Sequence, residues 1–214
     1  MLTKTGVRVI CFDFDGTIAA TMAFLTDLAV DVLTKHCRLA PETARAAYIR
    51  TTGLPFAEQA EVICSGNGAA VQAAVAEFED RKTSGYFRMV PEIHAQETLE
   101  ALKERGYTVA ISSSTDDHLI RQYLRRFGLS PDLAMGLRPN FKKGRDHFNH
   151  IRHQYRIDSG AICYVADSLN DYRLAAGLGV QFIAKCGLFD ADAFWALDPD
   201  MVVISDLKEL LTIF

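Results

Sequence analysis

The chain has 214 residues, 49% of them apolar, with 23 lysines and arginines against 27 aspartates and glutamates. That length holds one ordinary core plus a sizeable insertion, or two small domains. A net charge of −4 supplies no overall basic field for nucleic acid or an anionic membrane, and nowhere do about 18 apolar residues follow one another, so no membrane span is expected.

Taken in chain order, the apolar run at 7–12 (VRVICF) predicts a first strand; it is flanked by charge at Arg8 and Asp13, which does not suit a signal peptide. Four segments of helical period follow: FLTDLAVDVLTKHC, PETARAAYIRTT, FAEQAEVICSG and AAVQAAVAEFEDRKTSGYF, with Pro41, Gly53, Pro55, Gly66 and Gly68 as punctuation. A helix over 91–105 leads to a second strand at 107–112. Further strands are predicted at 161–165, 180–184 and 201–204, each separated from the last by helical sequence. Strands alternating with helices imply an α/β fold with a Rossmann-like parallel sheet. The stretch between the first two strands is far longer than one crossover helix needs. It predicts an α-helical cap domain over 18–88, inserted into a core domain made of 1–17 and 89–214.

The five cysteines (Cys11, Cys37, Cys64, Cys163 and Cys186) are odd in number and form no C-x-x-C pair. Scattered in this way they predict buried reduced thiols, and with them a cytoplasmic protein. Monomer and homodimer are equally compatible with the sequence.

Ligands in open parallel sheets sit beyond the carboxyl ends of the strands. After the first strand stand Asp13, Asp15, Gly16 and Thr17; after the second, Ser112, Ser113, Ser114 and Thr115; after the third predicted strand, Ala166, Asp167, Ser168 and Asp171. If those strands are neighbours, carboxylates and hydroxyls converge on one crevice. Several carboxylates there would repel one another unless a cation lay between them. Mg2+ suits such oxygen ligands. A lone aspartate could instead cap the next helix, and Ser114 or Thr115 suits the same capping role before DDHLIRQYL.

DFDGT at 13–17, VAISSS at 109–114, a lysine in FKKG and YVADSLND at 164–171 resemble the four ordered motifs of the haloacid dehalogenase (HAD) superfamily. The helical insertion and the TTGLPF loop at 51–56 are similar to its phosphoglycolate phosphatase and β-phosphoglucomutase-like branch. The resemblance implies Asp13 as a nucleophile that forms an aspartyl-phosphate, and Asp15 as the acid and base for leaving group and water. It implies a metal held by the Asp13 side chain, the Asp15 backbone carbonyl and Asp167, with Asp171 holding metal waters or orienting the lysine. Ser113 is the expected motif hydroxyl, with Ser112 and Ser114 as contenders. Gap-free counting to Asp167 prefers Lys142 as the catalytic lysine, with the adjoining Lys143 as the alternative, since the usual proline after the lysine is missing. Gly16, Thr17, Ser114, Lys143 and Gly53 complete the expected phosphate and substrate contacts, with the Phe56 ring and Arg50 as further candidates at the cap.

The implied activity is Mg2+-dependent hydrolysis of a small phosphorylated metabolite. A phosphomutase and a non-catalytic phosphometabolite-binding protein are the alternatives. Two departures from the family pattern stand out: Ala166 precedes Asp167 where glycine is usual, and Ile18-Ala19-Ala20-Thr21 replaces the usual L-V-D-S. The repeated His147, His150 and His153 read as an exposed basic helix face rather than a second metal site.

Overall fold

The computed structural model describes residues 6–64 and 67–214. The first five residues of the expected core domain, and Ser65 and Gly66 at the end of FAEQAEVICSG, lie outside the described residues.

Six parallel strands form one sheet in the order β3-β2-β1-β4-β5-β6: β1 (Val9–Phe12), β2 (Thr108–Asp116), β3 (Leu133–Leu137), β4 (Ile162–Ala166), β5 (Gln181–Lys185) and β6 (Val203–Ile204). All four residues of β1 are buried, which is why it reads as an unbroken apolar run rather than an alternating one. Two findings differ from the sequence reading. A strand at β3 was not expected, and β2 continues past Ser112 to Asp116 with a register shift against β3. β1 pairs with β2 on one side, Phe12 level with Ile111, and with β4 on the other, Phe12 level with Val165. Asp13 prolongs the second ladder, its N–H donating to the Val165 carbonyl at 2.9 Å. The ends of β1, β2 and β4 are therefore neighbours, as the convergence of their motifs requires.

The chain divides into two compact units, Thr21–Val90 and the remainder. Residues on either side of that boundary explain why it falls a few positions later than 18–88. Ala19 bridges Pro91, and the Glu92 N–H donates to the Ile18 carbonyl at 2.9 Å, so both connecting segments are stitched into the sheet-bearing unit.

The Thr21–Val90 unit contains α1 (Met22–Cys37), α2 (Pro41–Thr51), α3 (Phe56–Ile63) and α4 (Gly68–Tyr86). Leu25, Leu28, Ala29, Val32 and Leu33 of α1 recur at helical spacing and are buried with Ala44, Tyr48, Ala60 and Phe78. Phe56 belongs to this core. Its ring stacks on Phe78 at 3.7 Å, which removes it from the expected contact with a leaving group. The TTGLPF loop closes on Gln59, whose Nε2 donates to the Leu54 carbonyl and whose Oε1 accepts from Thr51 Oγ1, both at 2.9 Å. Gly53 supplies the turn's left-handed φ of 96°.

Cys37 and Cys64 form a disulfide with a Cα–Cα distance of 5.4 Å, joining the end of α1 to the residue after α3. This corrects the expectation of reduced thiols throughout and removes the cysteine-based argument for a cytoplasmic location. Cys11, Cys163 and Cys186 are free. Cross-linking across 27 residues is expected to stabilise the chain by about 3–4 kcal/mol through loss of chain entropy in the unfolded state. Thermal unfolding with and without a thiol reductant checks this: reduction should lower the midpoint, with no further change in a Cys37→Ala/Cys64→Ala variant.

In the other unit, α7 (Arg145–Tyr155) and α8 (Leu169–Gly177) pack Phe148, Ile151 and Ala175 against Cys11, Met135, Tyr164 and Ala166 of the sheet. Here α5 (Ala95–Glu104) and α6 (Asp117–Phe127) flank β2. Among the described residues no helix is long and apolar enough to cross a membrane.

Candidate active site

Asp13, Asp167 and Asp171 are all buried, and one carboxylate oxygen from each lies within 4.8 Å of the others. Asp13 continues β1, Asp167 follows β4, and Asp171 stands in the first turn of α8. Lys143 enters the same space. Its Nζ donates to Asp13 Oδ1 at 2.7 Å and pairs with Asp171 Oδ1 at 2.8 Å, with the side chain only 5% exposed.

The lysine in the site is thus Lys143, not Lys142. Lys142 is exposed, and its backbone N–H donates to Asp146 Oδ2 at 2.9 Å. Gly144 explains the geometry: its φ of 98° turns the chain into α7, and a Cβ there would sit 2.9 Å from Leu174 Cδ1. The turn commits the residue directly before it, and counting back from Asp167 misses by one.

Asp171 has little freedom. Ser168 caps α8 by accepting the Asp171 N–H and donates its hydroxyl to Asp171 Oδ2 at 2.6 Å, while Tyr164 Oη lies 3.3 Å from Asp171 Oδ1. Both Asp171 oxygens are thus engaged, Oδ1 with Lys143 and Tyr164 and Oδ2 with Ser168. Asp167 is the opposite case, since its Oδ2 is buried without any hydrogen-bond partner. A buried carboxylate oxygen left unpaired beside two other acids fits a hard divalent cation such as Mg2+.

The electrostatics agree with that fit. Burial pushes the Asp13 carboxyl up from its ordinary value, opposed by Lys143 and reinforced by Asp171. Burial, then Asp13 and Asp171, push Asp167 up as well, opposed by Lys143 and Lys185. Burial alone would lower Lys143, but the two carboxylates outweigh it and hold the ammonium charged.

Asp15 lies outside the three-acid group. Its Oδ2 accepts from Thr115 Oγ1 at 2.6 Å, which ties the end of β2 to the turn after β1. Gly16 carries a φ of 81°, and the Thr17 hydroxyl is buried without a hydrogen-bond partner. Ser113 is buried, its Oγ accepting the Thr115 N–H at 3.0 Å, and Ser114 beside it is partly exposed. Neither Ser114 nor Thr115 caps α6; Asp116 does, accepting from the N–H groups of His118 and Leu119.

Ser112 points elsewhere, sharing a 2.9 Å hydrogen bond with His147 Nδ1. His147 is wholly buried, which corrects the reading of the three histidines as one exposed face. Burial, then the charge of Lys143, depresses its pKa from 6.5 to about 4. Because the folded value is the lower one, stability is complete above pH 6.5 and is lost as pH falls towards 4, where the unfolded chain takes up a proton that the native state refuses. The expected loss is on the order of 3 kcal/mol. Denaturant unfolding across this range checks it, and a His147→Gln variant should show a shallower dependence.

A family model described as haloacid dehalogenase-like hydrolase matches residues 10–185. The chain belongs to this family. Solved structures similar to this family member include a predicted phosphoglycolate phosphatase from Haemophilus somnus 129pt (19% identity, 100% of this chain and 99% of that one, TM-score 0.76). A haloacid dehalogenase-like family protein from Streptococcus pneumoniae matches at 18% identity, covering 98% and 99% of the two chains with a TM-score of 0.80. A predicted phosphatase from Clostridium acetobutylicum matches at 18% identity, covering 95% and 96%, with a TM-score of 0.79. At these identities the likeness shows the fold. The comparison with curated proteins finds no match.

Several site residues of this haloacid dehalogenase-like chain escape a motif reading. Ser168 was legible as the start of S-x-x-D before a helix, a capping signature. Tyr164, in the middle of β4, carries no sequence signal for its contact with Asp171, and Thr115 reads as a helix cap rather than as the partner of Asp15. Lys185 closes β5, buried to 4% exposure, where only an apolar strand end was expected.

Proposed function

We propose that the protein is a Mg2+-dependent phosphatase acting on a small phosphomonoester through an aspartyl-phosphate on Asp13. The observation that carries this reading is the buried contact of Lys143 with both Asp13 and Asp171, beside the unpaired oxygen of Asp167. Lys143 at 2.7 Å favours the ionised form of Asp13, the form that attacks phosphorus, against the rise that burial imposes. Lys143 holds the nucleophile in place and offsets charge on the transferring group. Asp15, held by Thr115, is the group we assign to protonate the leaving oxygen and then deprotonate the attacking water. Ser113 and the amides around Gly16 and Ser114 are assigned to the phosphoryl oxygens.

Asp13 and Asp167 would hold the metal by side chain and Asp15 by its carbonyl. When bound, Mg2+ would neutralise charge between the acids and the phosphate. We assign substrate selection to the helical unit, with the loop at Gly53 as a candidate. The names of the structural relatives favour a phosphoglycolate-like substrate class. Ala20 stands where the family's usual acid would be, which argues against carrying a phosphoglycolate specificity over unchanged.

A phosphate-release screen over small phosphoesters tests the proposal. Release from at least one of them, silenced by a chelator and restored by Mg2+, is expected. No release, or a rate indifferent to chelation, would refute it. Conversion of a sugar 1-phosphate to the 6-phosphate without free phosphate would replace it by a phosphomutase.

A further inference from the structure

We infer that Lys185 is a positioning residue that fixes the Asp15 turn, and so sets how well Asp15 serves leaving groups that need a proton; this rests on the phosphatase reading above. Lys185 stands at the end of β5, next to β4, and its side chain is buried. Its Nζ donates to the Gly16 carbonyl at 3.0 Å, lies 3.5 Å from the Cys186 carbonyl, and pairs with Glu92 Oε2 at 3.3 Å. Asp15 is the residue before Gly16. Its carboxylate is fixed at one end by Thr115 Oγ1, and the peptide that follows is fixed at the other by Lys185.

Four N–H groups of the turn are satisfied locally. The N–H groups of Thr17, Ile18 and Ala19 converge on the Phe14 carbonyl, and Gly16 N–H donates to Ala19 at 2.8 Å. The Gly16 carbonyl is among the groups that these bonds leave over, and Lys185 takes it. A buried cation is costly unless it is paired and hydrogen-bonded. Here one partner, Glu92, is itself on the segment stitched to Ile18, so the lysine gathers both sides of the turn's base. The lysine's charge also acts on Asp167, opposing the rise that burial and the neighbouring acids impose. Lys143 already supplies the cation on Asp13, so the site has no need of Lys185 as a second nucleophile partner.

A group that acts through Asp15 leaves a kinetic signature. Proton donation matters for alkyl leaving groups and little for phenolates with low pKa, and kcat/KM reports the first phosphoryl transfer. Across the turned-over members of the phosphoester panel, Lys185→Met should lower kcat/KM by about 10–100-fold for the poorest leaving groups and under about three-fold for the best. Lys185→Arg should recover most of the loss. If Lys185→Met does not fold by thermal melt, Lys185→Gln takes its place with the same expectation. A uniform loss across leaving groups, or none, in a folded variant overturns the inference. A parent enzyme that releases no phosphate from any member overturns the phosphatase reading instead.

Discussion

Replacing Asp13 with asparagine is expected to lower phosphate release by about 10³-fold or more while the protein stays folded. The amide has nearly the same shape but cannot form an acyl-phosphate and is a poor ligand for a hard cation, so nucleophile and metal oxygen are lost in one change. The fold should tolerate it for a reason visible in the site. Burial already raises the Asp13 pKa, so a neutral group there relieves repulsion with Asp171 and Asp167, and Lys143 keeps its contact with Asp171. Steady-state phosphate release with a thermal melt on the same sample checks both halves. Substantial residual turnover would exclude the covalent route.

Lys143→Met is expected to reduce kcat by about 10²–10³-fold, since it removes the fixed cation facing both the nucleophile and the transferring group. It also leaves buried carboxylates without their partner, a loss of about 3–5 kcal/mol if they stay ionised. Proton uptake by Asp13 or Asp167 should absorb part of that loss, and Mg2+ should restore part of the stability. Lys142→Ala, at an exposed position with its neighbour intact, is expected to change stability by less than about 0.5 kcal/mol and leave kcat near that of the parent. Parallel kinetics on the two variants decide the assignment. A larger loss from Lys142→Ala would return it to the neighbouring residue.

Much of the sheet was legible because a strand buried on both faces must be apolar throughout. β1, β4 and β5 announce themselves in that way. β3 does not, because Ala134, Met135 and Gly136 carry little strand preference. Gly136 is there for packing rather than propensity, since a Cβ would fall 2.4 Å from the Asp117 Cα. The acids of the site were legible from their place after strands, a position that the topology converts into nearness. The lysine was not, because its register depends on where Gly144 turns the chain, and no count along the sequence carries that information. The Cys37–Cys64 pair was hidden for a related reason: 27 residues separate the partners, and only the packing of α1 against its neighbours brings them together. Lys185 and His147 were misread or missed because a buried charge or imidazole is recognised by its partners, Gly16 and Ser112, rather than by its flanks.

Trapping the enzyme during turnover tests the covalent step directly. Borohydride added to a steady-state reaction reduces an acyl-phosphate to an alcohol, and peptide mass spectrometry then reads the side chain at each position. The account predicts homoserine at position 13, appearing only with substrate and Mg2+ present. Continued phosphate release with position 13 recovered unmodified would contradict it.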